Sequence, residues 1–255
     1  MTRRKLPIGI QTFAKLREEG CYYVDKTPLL LRLVREGSFY FLSRPRRFGK
    51  SLLIDTLAEL FEGNRPLFDG LHAEANWDWS KSYPVIRISF ADGVLHSAER
   101  LQQRILDNLR QNAERLGVTF PPGLDVPGQF GELIRQARAS HGQRAVVLVD
   151  EYDKPILDNI TDGAIARQMR DGLRDLYSVI KGQDAHIQFA MLTGVSKFSL
   201  FSGLNNLRDI TVSADYSAIC GYTDEDVDTV FAPELPGLDR AQIRTWYNGY
   251  NWTGT

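Results

Sequence analysis

Gly49, Lys50 and Ser51 follow an apolar strand and a basic turn, SFYFLSRPRRFGKS (Ser38–Ser51), and open a helical pattern. That combination is suited to holding phosphate. A phosphate site needs backbone N–H groups converging on oxygens, a helix N-terminus, and a cation that can follow the transferred group. Gly49 lets the backbone approach closely, Lys50 can reach the β and γ phosphates, and Ser51 can ligand Mg²⁺. The candidate nucleotide contacts are therefore Arg46, Arg47, Phe48, Gly49, Lys50, Ser51 and Leu52. Gly49-Lys50-Ser51 are the last three positions of GxxxxGK[ST], but Arg44 stands where the opening glycine belongs. Read structurally, the same residues are a basic strand-to-helix turn with ordinary capping.

The second candidate is RAVVLVDEYD (Arg144–Asp153), an apolar strand ending on adjacent carboxylates. Asp150 is the expected magnesium-side acid and Glu151 the group that orients or deprotonates water. Neighbouring strand residues project to opposite faces, so two roles are sensible; a solvated strand exit is the plainer alternative. Asp153 and Lys154 read as a local charge network. Thr193, ending the next apolar strand, is a candidate γ-phosphate sensor or water holder, or else a turn hydroxyl. Lys197, Asn205 and Asn206 are candidates to line the same cleft. Tyr22, Tyr23, Asp25 and Lys26 are candidates to frame the adenine, and RTWYNGYNW is a candidate for base stacking or partner recognition, with packing the alternative. Catalysis would then fall to Lys50, Glu151 and Thr193, metal binding to Ser51 and Asp150, with ATP and Mg²⁺ as cofactors.

These residues need elements to aim them. The pattern predicts helices over Gln11–Gly20, Lys26–Glu36, Lys50–Phe61, Ala98–Leu116, Phe130–Ala139 and Ala164–Lys181. It predicts strands over Phe39–Leu42, Tyr83–Phe90, Ala145–Val149 and Ile187–Leu192, an edge strand at Tyr22-Tyr23-Val24 and a short strand in DITVS near Ile210. PPGLDVPG reads as a connection. Apolar strands alternating with long helices predict an α/β fold, a mostly parallel sheet covered on both faces. Residues 1–214 read as the core and 215–255, acidic and then aromatic with a helix near Thr223, as a small lid or the start of a following domain.

The bulk composition narrows the class. The 255 residues are 43% hydrophobic and 25% charged, with a net charge of −1, ordinary for a globular protein. Residues 1–60 nonetheless carry 12 Lys/Arg against 6 Asp/Glu. A near-neutral total argues against unspecific binding along a polyanion but leaves room for a local nucleic-acid patch. Two cysteines and four histidines offer neither a disulfide scaffold nor a zinc motif. No stretch approaches the roughly 18 apolar residues of a membrane helix, and MTRRKLPIG is followed by no secretory core. The expected location is cytoplasmic, with no membrane partner.

With those motifs in order, the chain resembles the bacterial AAA-ATPase-like family that often precedes a PD-(D/E)XK nuclease-like region. The stretches carrying the resemblance are GIQTFAKLREEGCYYVDKT, FLSRPRRFGKSLLIDTL, VVLVDEYDKPI, LTGVSKFSLFSGLNNLRDIT and TWYNGYNW, which together span almost the whole chain. The resemblance implies a P-loop NTPase core of the additional-strand type. Lys50 and Ser51 match its phosphate and magnesium positions, Asp150-Glu151 its acidic pair, and Thr193 a polar sensor. RPRRFGKS looks like the family's own version of the turn. The nuclease-like region expected after YNGYNW is not among these residues, and no DNA cleavage is assigned to them. The expectation is Mg²⁺-dependent ATP binding and hydrolysis coupled to an unknown process. The alternatives are a nucleotide-gated module with little hydrolysis, acting through a DNA or protein partner or self-association, and a basic-patch nucleic-acid adaptor.

Overall fold

The apolar strands assemble, in a computed structural model that describes residues 3–197 and 207–247, into one parallel sheet. Strands β1 (Phe39–Ser43), β2 (Val85–Ser89), β3 (Ala145–Asp150), β4 (Ile187–Gly194) and β5 (Arg208–Asp209) lie in the order β2-β3-β4-β1-β5. Every pairing is parallel. The strand that feeds the basic turn is thus separated from the strand that ends on the acids by β4, the additional strand.

Two helical layers cover the sheet. On one face lie α2 (Thr27–Glu36) and α3 (Lys50–Glu62), against Tyr40, Leu42, Val146, Leu148, Phe189 and Met191. On the other lie α5 (Ala98–Leu116), α6 (Val126–His141) and α8 (Gly163–Gly182), against Phe41, Ile86, Ile88, Val147, Val149, Ala190 and Leu192. Alternate residues of β3 serve opposite faces, as the two-residue period of a strand requires. All six are buried, which is why AVVLV reads as an unbroken apolar run rather than an alternating one. Short helices α1 (Phe13–Glu18), α4 (His72–Asn76) and α7 (Lys154–Leu157) fill the connections, and α9 (Asp224–Thr229) and α10 (Arg240–Tyr247) follow the sheet.

Several boundaries differ from the sequence expectation for identifiable reasons. Tyr22-Tyr23-Val24 is not a strand. A single bridge joins Lys5 to Cys21, after which Asp25 accepts the Thr27 N–H and turns the chain into α2. Only Asp209 of DITVS joins the sheet, in the two-residue strand Arg208–Asp209, and the Asp209 carboxylate accepts the Thr211 N–H where the chain bends away. α6 begins four residues early, at Val126. Asp125 caps it by accepting the Gly128 N–H, and proline in the first turn needs no hydrogen bond there. β1 and β4 outrun their apolar cores since pairing continues through Leu42 with Thr193 and Ser43 with Gly194. The helix near Thr223 is α9, whose cap is a reciprocal Thr223–Asp226 box. Of the residues beyond 214, Tyr216, Ile219 and Cys220 are buried against the α2–α3 face of the sheet.

Candidate functional site

The sheet register delivers Ser43, Asp150 and Thr193 to one edge, at the C-terminal ends of β1, β3 and β4. In open parallel sheets ligands bind outside those ends. From β1 the chain runs through a six-residue turn, 44–49, into α3 at Lys50. Gly49 caps α3 in the left-handed region (φ 85) with open space around it. No side chain caps the helix, and no acidic residue occupies its first turn. An uncapped helix N-terminus leaves N–H groups directed outward with the positive end of the dipole. Arg46 and Arg47 are exposed on the crest, while Phe48, Ser51 and Leu52 are half-buried. Lys50 is buried, its Nζ donating to the carbonyls of Arg44 and Pro45 at 2.9 Å each. Burial lowers its pKa, with Asp150, Glu151 and Asp153 acting in the other direction.

The acidic pair divides its labour. Asp150 is buried, and its Oδ1 accepts both the Thr193 hydroxyl (2.7 Å) and the Glu151 N–H (3.0 Å). Thr193 is therefore not a turn hydroxyl. It is a fully buried strand residue whose hydroxyl orients the Asp150 carboxylate. Glu151 is half-buried in the left-handed region (φ 53). Burial and the adjacent Asp150 charge raise its pKa, while Lys154, Lys50 and Arg46 oppose the rise. Charges from the basic turn thus act on the acid turn, although about a hundred residues separate them in the sequence. Among the described residues, Arg47 and Glu151 are the non-glycine residues with positive φ. Such strain persists where surrounding structure holds it, commonly at functional sites.

Two residues after the acidic pair carry more weight than their sequence suggested. Asp153 is fully buried and accepts the N–H groups of Val195 (2.9 Å) and Ser196 (2.6 Å). Its pKa is raised by burial, partly offset by those bonds. Tyr152, also buried, donates its hydroxyl to the Ser196 carbonyl (2.7 Å), and its N–H bonds the Thr193 carbonyl. Ser43 approaches from the other side, its hydroxyl donating to the Val195 carbonyl (2.7 Å). Gly194 is the close-approach point: a Cβ there would stand 2.5 Å from Tyr152 ring carbons and 2.6 Å from Asp153 Oδ1. The available signal was a tyrosine and an acid directly after Asp-Glu, together with a glycine ending the next strand. Lys154 pairs with Asp158 at 2.6 Å and does not join Asp153.

The other candidates are engaged structurally. Tyr22 donates to Glu234, Tyr23 packs on Phe13, Asp25 accepts the N–H groups of Thr27 and His72, and Lys26 pairs with Asp226 at 2.9 Å. Lys197 pairs with Asp209. Asn205, Asn206 and residues 248–252 of the aromatic stretch lie outside the described residues. Cys220 lies within the field of Arg44 and Lys50, its thiol pushed up to about 12 by burial. No cluster of three or more His, Cys, Asp and Glu able to hold a metal occurs among the described residues. A magnesium ion here would rest on Ser51, Asp150, water and a nucleotide's own oxygens, the usual economy for this ion.

The parallel sheet, the turn after β1 without a side-chain cap and the acid pair at the end of β3, with β4 between them, define a P-loop NTPase architecture. The family model described as "Predicted AAA-ATPase" matches residues 7–202, and the chain belongs to that AAA-ATPase-like family. Membership carries nucleotide binding or hydrolysis in general terms. The chain is 64% identical, over 258 residues, to a protein of Azotobacter chroococcum mcd 1 described as an "Uncharacterized protein in vnfD 5'region". That alignment takes in 100% of this chain and 50% of the relative, so the chain spans about half the relative's length. No solved structure matches it. No helix among the described residues is long and apolar enough to cross a membrane.

Proposed function

We propose that the chain binds ATP with Mg²⁺ and hydrolyses it. The observation that carries this reading is the pairing of two strained turns on either side of β4, each with its left-handed residue, Arg47 in one and Glu151 in the other. The N–H groups of Arg46 to Leu52 and the Lys50 amine take the phosphates, Lys50 exchanging its two carbonyl partners for phosphate oxygens. Ser51 and Asp150 hold magnesium, directly or through water, and the ion supplies neutralisation of the charge shared by the β and γ phosphates. Glu151 orients the attacking water and accepts its proton as the bond from the γ-phosphorus to the bridging oxygen breaks, giving ADP and inorganic phosphate. Thr193 acts through Asp150, fixing the carboxylate that would hold the ion. Orientation and electrostatic stabilisation supply the rate, as in phosphoryl transfer generally.

A second reading rests on the crest of the turn. Arg46 and Arg47 are exposed, so nucleotide occupancy could gate a nucleic-acid or protein contact with little hydrolysis. The deciding experiment measures ATP binding and phosphate release together, with and without Mg²⁺, at several protein concentrations. Magnesium-dependent turnover supports the ATPase, and a steep concentration dependence indicates self-association. Binding without turnover moves the assignment to the gated module. Neither binding nor turnover rejects both.

A further inference from the structure

Arg44 occupies the position of the opening glycine in the phosphate-turn pattern, and it is only 1% exposed. Its side chain does not join Arg46 and Arg47 on the crest. It runs under the turn, where Nη1 donates to the carbonyls of Ser43 (3.0 Å) and Thr211 (2.5 Å) and Nη2 to that of Tyr216 (3.5 Å). The same late segment holds the turn at two further points. Thr211 Oγ1 accepts the Ser43 N–H (3.0 Å), and the Gly221 N–H donates to the Phe48 carbonyl (3.0 Å). Both ends of residues 43–48 are therefore tied to residues 211–221. The Arg44 main chain is engaged as well, its N–H on the Gly194 carbonyl (3.1 Å) and its carbonyl on Lys50 Nζ.

Burying a guanidinium is costly unless its donors find partners, and a planar fork can bridge carbonyls that a single ammonium cannot. A glycine here would remove the guanidinium's bonds to Thr211 and Tyr216 and leave the turn held to the late segment only through Ser43–Thr211 and Phe48–Gly221. We propose, resting on the nucleotide-binding reading, that Arg44 is a positioning residue. It replaces the opening glycine by tying the turn to residues 211–216, so that phosphate affinity depends on a segment 167 residues later in the chain. Restoring the glycine that the general motif asks for should therefore weaken the site.

The test compares wild type, Arg44→Gly and Arg44→Lys for Mg–ATP affinity and stoichiometry, below the melting temperature of each. Arg44→Gly is expected to bind ATP about tenfold or more weakly, from the hydrogen bonds lost by a charged group, with Arg44→Lys between it and wild type. A variant that merely folds poorly would lose stoichiometry and keep its Kd. Hydrogen exchange without nucleotide provides the second arm. Amides of residues 46–49 and 211–221 should exchange faster in Arg44→Gly, while those of Val146–Val149 stay protected. A wild-type Kd in Arg44→Gly, or unchanged exchange in both segments, overturns the proposal. Absence of ATP binding by wild type rejects the functional reading instead, and the tie then stands or falls on the exchange result.

Discussion

The basic turn and the acid turn leave strands on either side of β4, and each contains one non-glycine residue in the left-handed region. Their supports differ. The basic turn is exposed at its crest and held from beneath by segment 211–221, which arrives late in the chain. The acid turn is buried at Tyr152 and Asp153 and clamped to the residues that follow β4, Val195 and Ser196. On the proposed ATPase reading, the turn that would admit a polyphosphate keeps a solvated face, whereas the turn that would aim a carboxylate is packed beneath it at Tyr152 and Asp153. Buried packing has few alternative arrangements, so it is the better means of fixing direction.

That contrast can be broken at the acid turn most severely. Glu151→Gln should lower turnover by about 100- to 10,000-fold, the usual contribution of a positioned base, while ATP affinity changes little. Phosphate release paired with equilibrium binding tests this, and undiminished turnover would remove Glu151 from its role. At the basic turn the effect should fall on binding instead. Lys50→Ala should weaken ATP about 10- to 100-fold through loss of a charged hydrogen-bond donor, read by titration; an unchanged Kd contradicts the assignment.

Rigidity at the clamp can be examined through Gly194→Ala, whose added methyl must displace Tyr152 or Asp153. Overpacking of that kind costs about 1–3 kcal/mol, visible as a lower denaturant midpoint. If the acid turn is the rigid partner, turnover should suffer more than affinity in this variant; an equal loss of both would make the two turns one unit. The smallest expected effect is electrostatic. Burial and Asp150 raise the Glu151 pKa, so the base form is lost as pH falls through a value above the ordinary 4.5. The acid limb of kcat/KM should lie there, since that profile reports the free enzyme. Arg46 opposes the rise, so Arg46→Ala should move the limb to higher pH. A limb unmoved by Arg46→Ala would separate the two turns electrostatically.

Legibility in the sequence followed the range of the interactions. The buried run Val146–Val149, the amphipathic spacing of α5 and the Gly49-Lys50-Ser51 helix start are local patterns, and they appear as strand, helix and uncapped turn. Thr193 was visible as a polar residue ending an apolar strand, but its bond to Asp150 was not, because only the β3–β4 pairing makes them neighbours. Asp153 suggested a charge network with Lys154. The folded chain gives it two backbone N–H groups from beyond β4 and gives Lys154 to Asp158.

The sequence by itself determined the alternation of buried strands and amphipathic helices, the places of the basic turn and the acid pair, and the family to which the chain belongs. Tertiary structure alone decided that β4 stands between them, that Thr193 serves Asp150, and that Arg44 lies beneath the turn while Arg46 and Arg47 crown it. The reason is one of distance along the chain. Periodicity and turn chemistry act over a few residues and leave their mark in local order, whereas a guanidinium finds its carbonyls only after strands distant in sequence have been brought to the same edge of a sheet.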